Sequence, residues 1–349
     1  MSSSVRRDVT IRRADVIADR ERILAVQGRN LEVSSPARYD WLYLRNPAGP
    51  SHAWLAEDAA TGAPVGSSAG HVRMLGVNGR SVRGLNLGDF CIDSAYRTLG
   101  PALKLLKASL TEVDAGGADA SYGTPNWKMV ALYQRLRNPP LGPSWRWARP
   151  VRLGARARRR WPGWRGALAG GTADLGLRLA TRLLLPRPRF EVEPLAVCGP
   201  EVDELEEELA RDEPQRFARS AAHLRWSYLD HPAPLRLLAA RRAGRLRGYL
   251  AYRTVEDALE VVDLQGAPRA EVAPSLLGEL IRTAQREGRS GVWMTAFPGT
   301  QLEALLAPLA FVRRESMPGM VLHAGPALAT TPGLRDLSRW WLVDGDFDV

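Results

Sequence analysis

The element Arg38-Tyr39-Asp40-Trp41-Leu42-Tyr43-Leu44-Arg45-Asn46-Pro47-Ala48 returns 185 residues later as His223-Leu224-Arg225-Trp226-Ser227-Tyr228-Leu229-Asp230-His231-Pro232-Ala233. Repetition at this distance means duplicated domains, because solenoid units run to only about 20–50 residues. Each copy precedes a strand-like pair: 53–57 with 65–73, then 235–241 with 247–253. Further on, 275–286 reads as a helix with one apolar face, 291–297 as a strand and 301–309 as a helix. The chain of 349 residues has room for two cores. The expected division is 1–150, a linker over 151–189, a second domain over 190–325 and a tail over 326–349. Aromatics at spacing two before a proline would anchor a helix end against a sheet; the other reading has them line a cleft for an acceptor.

The second informative stretch is 86–102. It reads as a strand over 87–92, a tight turn, and a helix from about Pro101. The turn carries Arg97-Thr98-Leu99-Gly100 and leads into Ala102. Exposed amides at a helix N-terminus favour an anion through both their N–H groups and the helix dipole. Gly100 permits close backbone approach, Arg97 adds phosphate-shaped donors, and Pro101 suits a first helical position. The segment asks for a pyrophosphate. The second half offers Leu264-Gln265-Gly266-Ala267-Pro268-Arg269 in its place, without that spacing.

Arg97-x-x-Gly100-x-Ala102 resembles the acyl-coenzyme A loop of the GNAT N-acetyltransferase superfamily. Its surroundings are similar too. Val9–Ala14 and the helix-like 19–26 match the family's opening. Ala120–Gly123 reads as a strand, and Asn126 opens a helix carrying Tyr133 seven residues later. The Gly-Phe usual after that tyrosine is replaced by Arg137-Asn138. The resemblance covers roughly 8–148. It implies an α/β (α+β) fold: two tandem GNAT-like domains, each a mixed, mainly antiparallel sheet flanked by helices, with the second degenerate. It also implies an acyl-CoA-dependent N-acyltransferase using acetyl-CoA or another acyl-CoA, with an amine acceptor that is a small molecule or is sugar- or lipid-linked.

The resemblance assigns roles residue by residue. Phe90, Cys91 and Ile92 would pair with the pantetheine arm through their backbone, while Arg97, Thr98, Leu99, Gly100 and Ala102 would hold the pyrophosphate. Asn126 would touch the arm, though asparagine there is also a good N-cap. Tyr133 would protonate the departing thiolate, its pKa of about 10 being near a thiol's; it could instead be a core-edge tyrosine beside Met129, Leu132 and Leu136. Asp89 would orient or deprotonate the amine. Alternation puts Asp89, Cys91 and Asp93 on one strand face and Phe90 and Ile92 on the other, and burial would raise the pKa of Asp89.

Other chemistry is disfavoured. Cys91 and Cys198 lie in separate halves, and the five histidines are scattered. This argues for a reducing, cytoplasmic setting and against a disulfide framework or a metal site. Gly66-Ser67-Ser68-Ala69-Gly70 contains a hydrolase-like Gly-x-Ser-x-Gly, but it runs into a continuing strand rather than a sharp turn and helix.

The net charge of +10 is concentrated in 151–190, where ten arginines face one acid, Asp174. Within it, 175–185 is expected to form a short amphipathic helix stopped by Pro186 and Pro188. This segment reads as an interdomain connector, a solvated basic face, or a peripheral contact with an anionic membrane surface. Charge alone also permits nucleic acid, including tRNA, but no recognised motif supports it. The tail, with Trp340 and Trp341, is expected to close a sheet or to enter the acceptor cleft. Two further readings stand beside acyl-CoA transfer: a Fem-like aminoacyl-tRNA-dependent transferase and a non-catalytic scaffold.

Overall fold

The computed structural model describes residues 8–185, 189–212 and 215–347. Its first half contains β1 (Val9–Ala14), α1 (Arg20–Asn30), α2 (Pro36–Tyr39), β2 (His52–Asp58), β3 (Pro64–Val77), β4 (Arg80–Ile92), α3 (Leu99–Asp114), β5 (Ala120–Gly123), α4 (Trp127–Arg135) and β6 (Pro143–Pro150). A helical pair follows, α5 (Gly154–Arg160) and α6 (Trp164–Leu184). The second half contains β7 (Glu191–Pro194), α7 (Pro200–Asp212), β8 (Gln215–Phe217), α8 (Ala221–Leu224), β9 (Arg236–Arg242), β10 (Arg245–Val255), β11 (Ala258–Gly266), α9 (Arg269–Arg286), β12 (Gly291–Ala296), α10 (Gln301–Leu306), β13 (Val312–Pro318) and β14 (Val321–Ala324).

Two mixed seven-stranded sheets result, each flanked by helices. One runs β1-β2-β3-β4-β5-β14, with β8 against the end of β3; the other runs β13-β6-β12-β11-β10-β9-β7. Neighbours are antiparallel except β4–β5 and β11–β12. The expected boundaries at 150 and 325 separate the sequence repeats but not the sheets. β6 crosses into the second sheet, between β12 and β13, while β8 and β14 cross back into the first. A strand's place is decided by the backbone edge it can pair with, and each sheet leaves an edge that the other half closes.

The repeated tryptophans meet at the centre. Each lies in a π-helical turn, Asp40–Leu44 or Arg225–Leu229. The indole N–H of Trp41 donates to the Trp226 carbonyl at 2.8 Å, and that of Trp226 donates to the Trp41 carbonyl at 2.9 Å. Their rings stack with centroids 4.8 Å apart. Reciprocity of this kind is what a two-fold axis imposes on a self-complementary contact. The tryptophans of the repeat thus join the two π-helical turns to each other, a contact the anchoring of a helix end against a sheet did not include.

Other elements depart from the sequence reading in detail. β4 begins at Arg80, well before 87, because its outer half pairs with β3 through the hairpin at Asn78-Gly79. The basic segment forms a 21-residue helix instead of a short one; Pro186 and Pro188 lie outside the described residues. The stretch 66–70 stays within β3, so it makes no nucleophile elbow.

Trp41→Ala and Trp226→Ala should each cost about 3–5 kcal/mol, the range for truncating a buried tryptophan. The double variant should lose less than the sum of the two, since each indole serves the same contact. Urea unfolding of the four proteins checks both statements; strict additivity would contradict the pairing.

Candidate functional site

The cleft lies where β4 and β5 part. They pair at Gly84↔Ala120, Leu85↔Ser121 and Asn86↔Tyr122 and no further, although β4 continues to Ile92. Beyond that point the β4 edge carries backbone groups with no partner from β5. The opening measures about 800 Å³ and is walled by α3, α4 and the strand ends. Asp89, Phe90, Cys91, Ile92, Arg97, Thr98, Leu99, Ala102, Asn126 and Tyr133 all line it. Gly100, the remaining expected residue, sits between two of these on exposed backbone.

A β-bulge shapes the strand. Ser67 faces Cys91 and Ala69 faces Gly88, so Asp89 and Phe90 together oppose Ser68. Asp89 adopts φ 48°, the left-handed region, which aspartate tolerates better than most residues. The extra residue shifts the phase of side-chain alternation. Leu85 and Leu87 pack toward α3, and after the bulge so do Phe90 and Ile92. Phe90 also meets Leu106 and Tyr133.

On the opposite face, Asp89 enters a buried polar network. Tyr43 Oη donates to its Oδ2 at 2.8 Å, and Arg38 Nη1 donates to the same oxygen at 3.0 Å. Gln27 Nε2 donates to Tyr43 Oη at 2.7 Å. His71 Nε2 lies 3.9 Å from Asp89 Oδ2. Ser51 Oγ lies 3.1 Å from the Leu42 carbonyl and 2.8 Å from His71 Nδ1, and His71 Nε2 faces the carboxylate without a hydrogen-bond partner among the described residues.

The Asp89 pKa departs from the expected direction. Burial alone would raise it, but Arg38, through its charge and its hydrogen bond, and the Tyr43 hydrogen bond lower it below the ordinary aspartate value. Asp89 is thus held ionised. Burial pushes His71 down to about 4 against the opposing pull of Asp89, so it is neutral near pH 7. Asp93 donates nothing to the cleft. Arg29 and Asn30 hold it at the strand exit, where it ends the strand.

The α3 end differs slightly from expectation. The helix starts at Leu99, so Pro101 is its third residue, still within the turn whose N–H groups have no helical partner. Thr98 is the N-cap, but its side chain accepts no first-turn amide. A Cβ built on Gly100 would meet nothing within 4 Å, and its φ is not left-handed. Neither strain nor protein packing therefore requires glycine there. Arg97 is drawn back along the loop: Nε donates to the Ile92 carbonyl at 2.8 Å and Nη2 to Asn30 Oδ1 at 2.9 Å. It braces the turn more than it projects from it.

Asn126 caps α4, its Oδ1 accepting from the amides of Lys128 and Met129, both at 3.0 Å. Tyr133 is buried in the α3–α4 contact with Leu106 and Leu132, and burial pushes its phenol well above the ordinary value. Its hydroxyl has no hydrogen-bond partner among the described residues. The Cys91 thiol, against Ser67 at 3.3 Å, is raised to about 11 by burial and is therefore protonated and inert.

The second sheet has the same parting of strands but a different filling. β11 and β12 pair only at Leu259↔Val292 and Glu260↔Trp293. Beyond them Trp341 donates its indole N–H to the Leu264 carbonyl at 2.7 Å, and the Thr295 amide donates to Asp344 Oδ2 at 3.3 Å. Trp341 and Val343 join the core with Val272, Met294 and Ala296. The tail therefore fills the second sheet, not the first cleft. Tyr228 repeats Tyr43 by donating to an aspartate, Asp263, at 2.8 Å, but there Arg219 and Tyr249 seal the carboxylate completely.

Sequence reasoning missed Arg38, Tyr43 and His71 as site residues. The first two stand inside the repeated element, whose tyrosine reaches the site while its tryptophan does not. A separate depression of about 830 Å³ on the second sheet gathers Arg146, Arg149, Arg152 and Trp293. None of the expected site residues reaches it.

No protein-family model matches the chain, and no curated protein matches it. Solved structures do. An Enterococcus faecalis protein described as a probable N-acyltransferase matches at 12% identity with a TM-score of 0.64, covering 90% of this chain and 72% of that one. A GCN5-related N-acetyltransferase from Anabaena variabilis matches at 15% with a TM-score of 0.60, again covering 90% and 72%. The Saccharomyces cerevisiae N-myristoyltransferase, solved with myristoyl-CoA, matches at 11% with a TM-score of 0.56, covering 90% and 82%. At these identities the likeness establishes the fold: the chain has the GNAT fold.

Acid should weaken this fold through His71. An unfolded histidine takes a proton below about 6.5, whereas the folded one resists it until about 4. In between, the unfolded state binds more protons, so stability falls as pH falls. From pH 7 to pH 5 the loss from this group should be about 1–2 kcal/mol. Denaturant melts of the wild type and His71→Gln at both pH values measure it; an identical pH difference in the two would contradict the assignment.

Proposed function

We propose that the chain is an N-acyltransferase that takes its acyl group from an acyl-coenzyme A and passes it to an amine. The observation that carries this reading is the α3 N-terminus, uncapped by Thr98 and fronted by a glycine that packing does not require, at the mouth of a cleft between parting strands. The donor set suits the group: first-turn amides for a pyrophosphate, and an unpaired strand edge for an extended arm bearing amides. The loop 97–102 and the backbone of 90–92 would hold the acyl-CoA, with Asn126 beside the arm. When bound, the acyl-CoA supplies an activated thioester carbonyl.

The chain's own residues then have distinct tasks. Backbone N–H groups near the bulge are placed to polarise a carbonyl, a contribution usually worth a few kcal/mol. Asp89, fixed by Arg38 and Tyr43 and ionised, orients the amine by accepting its N–H. Its lowered pKa makes it a weak base and an effective counter-charge. Tyr133 keeps its proton at neutral pH and is the proton source for the leaving thiolate. Burial also raises the basicity of a thiolate left in the same apolar site, which narrows the gap between them. The acceptor is an amine, small or carried on a sugar or lipid, and acetyl is the first acyl group to test. We carry the cytoplasmic setting with this reading, since Cys91 and Cys198 are both unpaired.

Titration calorimetry with acetyl-CoA and longer acyl-CoAs should show one site per chain. Gly100→Glu should abolish binding without lowering the melting temperature, because its Cβ has open space and an acidic residue suits a helix N-terminus. Binding unaffected by that change would remove the loop from the site. Given a substrate pair, Tyr133→Phe should lower kcat about 10–1000-fold with little change in KM. The pH profile of the wild type should show no limb from Asp89 between pH 5 and 7.

A further inference from the structure

We propose that the outer face of α6 is a docking surface for an anionic lipid bilayer. The inner face of this helix is fixed to the protein. Thr181 Oγ1 accepts from Arg149 Nη2 and from Gln285 Nε2, and Asp174 accepts from the Leu153 and Gly154 amides at the start of α5. Gly170 packs against the backbone of Gly154. The opposite face carries Trp164, Leu168, Leu175, Leu179 and Leu183, which are 72%, 61%, 59%, 51% and 84% exposed. Steps of four and seven keep them in one stripe along a helix of 21 residues. A contiguous apolar row of this length marks an interaction surface.

Charge selects the occupant. Arg165, Arg178 and Arg182 on the helix are exposed, as are Arg159 and Arg160 at the end of α5, next to the exposed Trp161. The segment 151–190 carries a net charge of +9. A second copy would set two such cationic faces against each other. Nucleic acid would engage the arginines and leave the leucine row in water. An anionic bilayer uses both: the headgroups attract the arginines, and the boundary with the acyl chains receives tryptophan and leucine. Among the described residues no helix is long and apolar enough to cross a membrane, so α6 would lie along the surface.

The test is co-sedimentation of the full-length protein with phosphatidylcholine vesicles, with and without phosphatidylserine. Binding is expected only with phosphatidylserine, and it should weaken as salt rises. Leu175→Ser with Leu179→Ser should lower the affinity at least about tenfold, as should Arg178→Glu with Arg182→Glu. The two pairs change exposed positions by different chemistry, and unchanged melting temperatures would confirm that both fold. Absence of binding to phosphatidylserine vesicles would overturn the proposal, and so would full binding by both variants. A dimeric wild type made monomeric by the leucine pair would overturn it too, by showing that a second copy covers the stripe.

Discussion

The reciprocal bond between Trp41 and Trp226 is the contact from which the architecture is organised. Each indole satisfies a carbonyl of the other's π-helical turn, so neither turn is complete without its counterpart. Buried polar groups left unpaired cost free energy comparable to a lost hydrogen bond. That cost ties the two halves together at their pseudo-axis. The exchange of β6 for β8 and β14 follows the same logic at the sheet edges. The two halves are joined by main-chain pairing as well as by packing.

The same element fixes the site. Two residues beyond Trp41, Tyr43 reaches the β4 bulge and holds Asp89. The bulge does two things at once. It turns the Asp89 carboxylate onto the α1–α2 face, and it keeps Phe90 and Ile92 facing α3. An uninterrupted pleat could not do both with Leu85 and Leu87 already on the α3 face. The charge at Asp89 is stable because Arg38 and Tyr43 offset its desolvation, and both are carried by the segment that the tryptophan pair anchors.

Much of this was legible in the sequence because it is written in local pattern. The repeated element showed in Trp41 and Trp226, the turn from strand into helix in Arg97 to Ala102, and the α4 cap in Asn126. What escaped was set by long-range pairing. Nothing local to Pro143–Pro150 says that it will join β12 and not its own sheet, since edges carry no sequence label. Nothing in Asn-Leu-Gly-Asp-Phe-Cys says that Asp89 takes a left-handed conformation and shifts the pleat. The lowered pKa of Asp89 depended on Arg38 and Tyr43, which are distant in sequence. Burial alone, the part visible from strand position, pointed the other way.

The two partings of strands meet different fates. Parallel strands that splay leave a row of backbone donors and acceptors at their inner edges, and such a row needs partners. In the second sheet the chain supplies them itself: Trp341 and Asp344 bind the edges of β11 and β12, and the ring of Trp341 lies 4.0 Å beneath the Arg269 guanidinium at the start of α9. In the first sheet the described residues of the tail pass the base of the opening, where Asn86 Nδ2 donates to the Phe347 carbonyl at 3.1 Å. The β4 edge beyond Asn86 takes no such filling from the described residues of the tail. Two similar partings thus differ in their surroundings: the one between β11 and β12 is closed by Trp341 and Asp344, and the one between β4 and β5 stays open above Asn86.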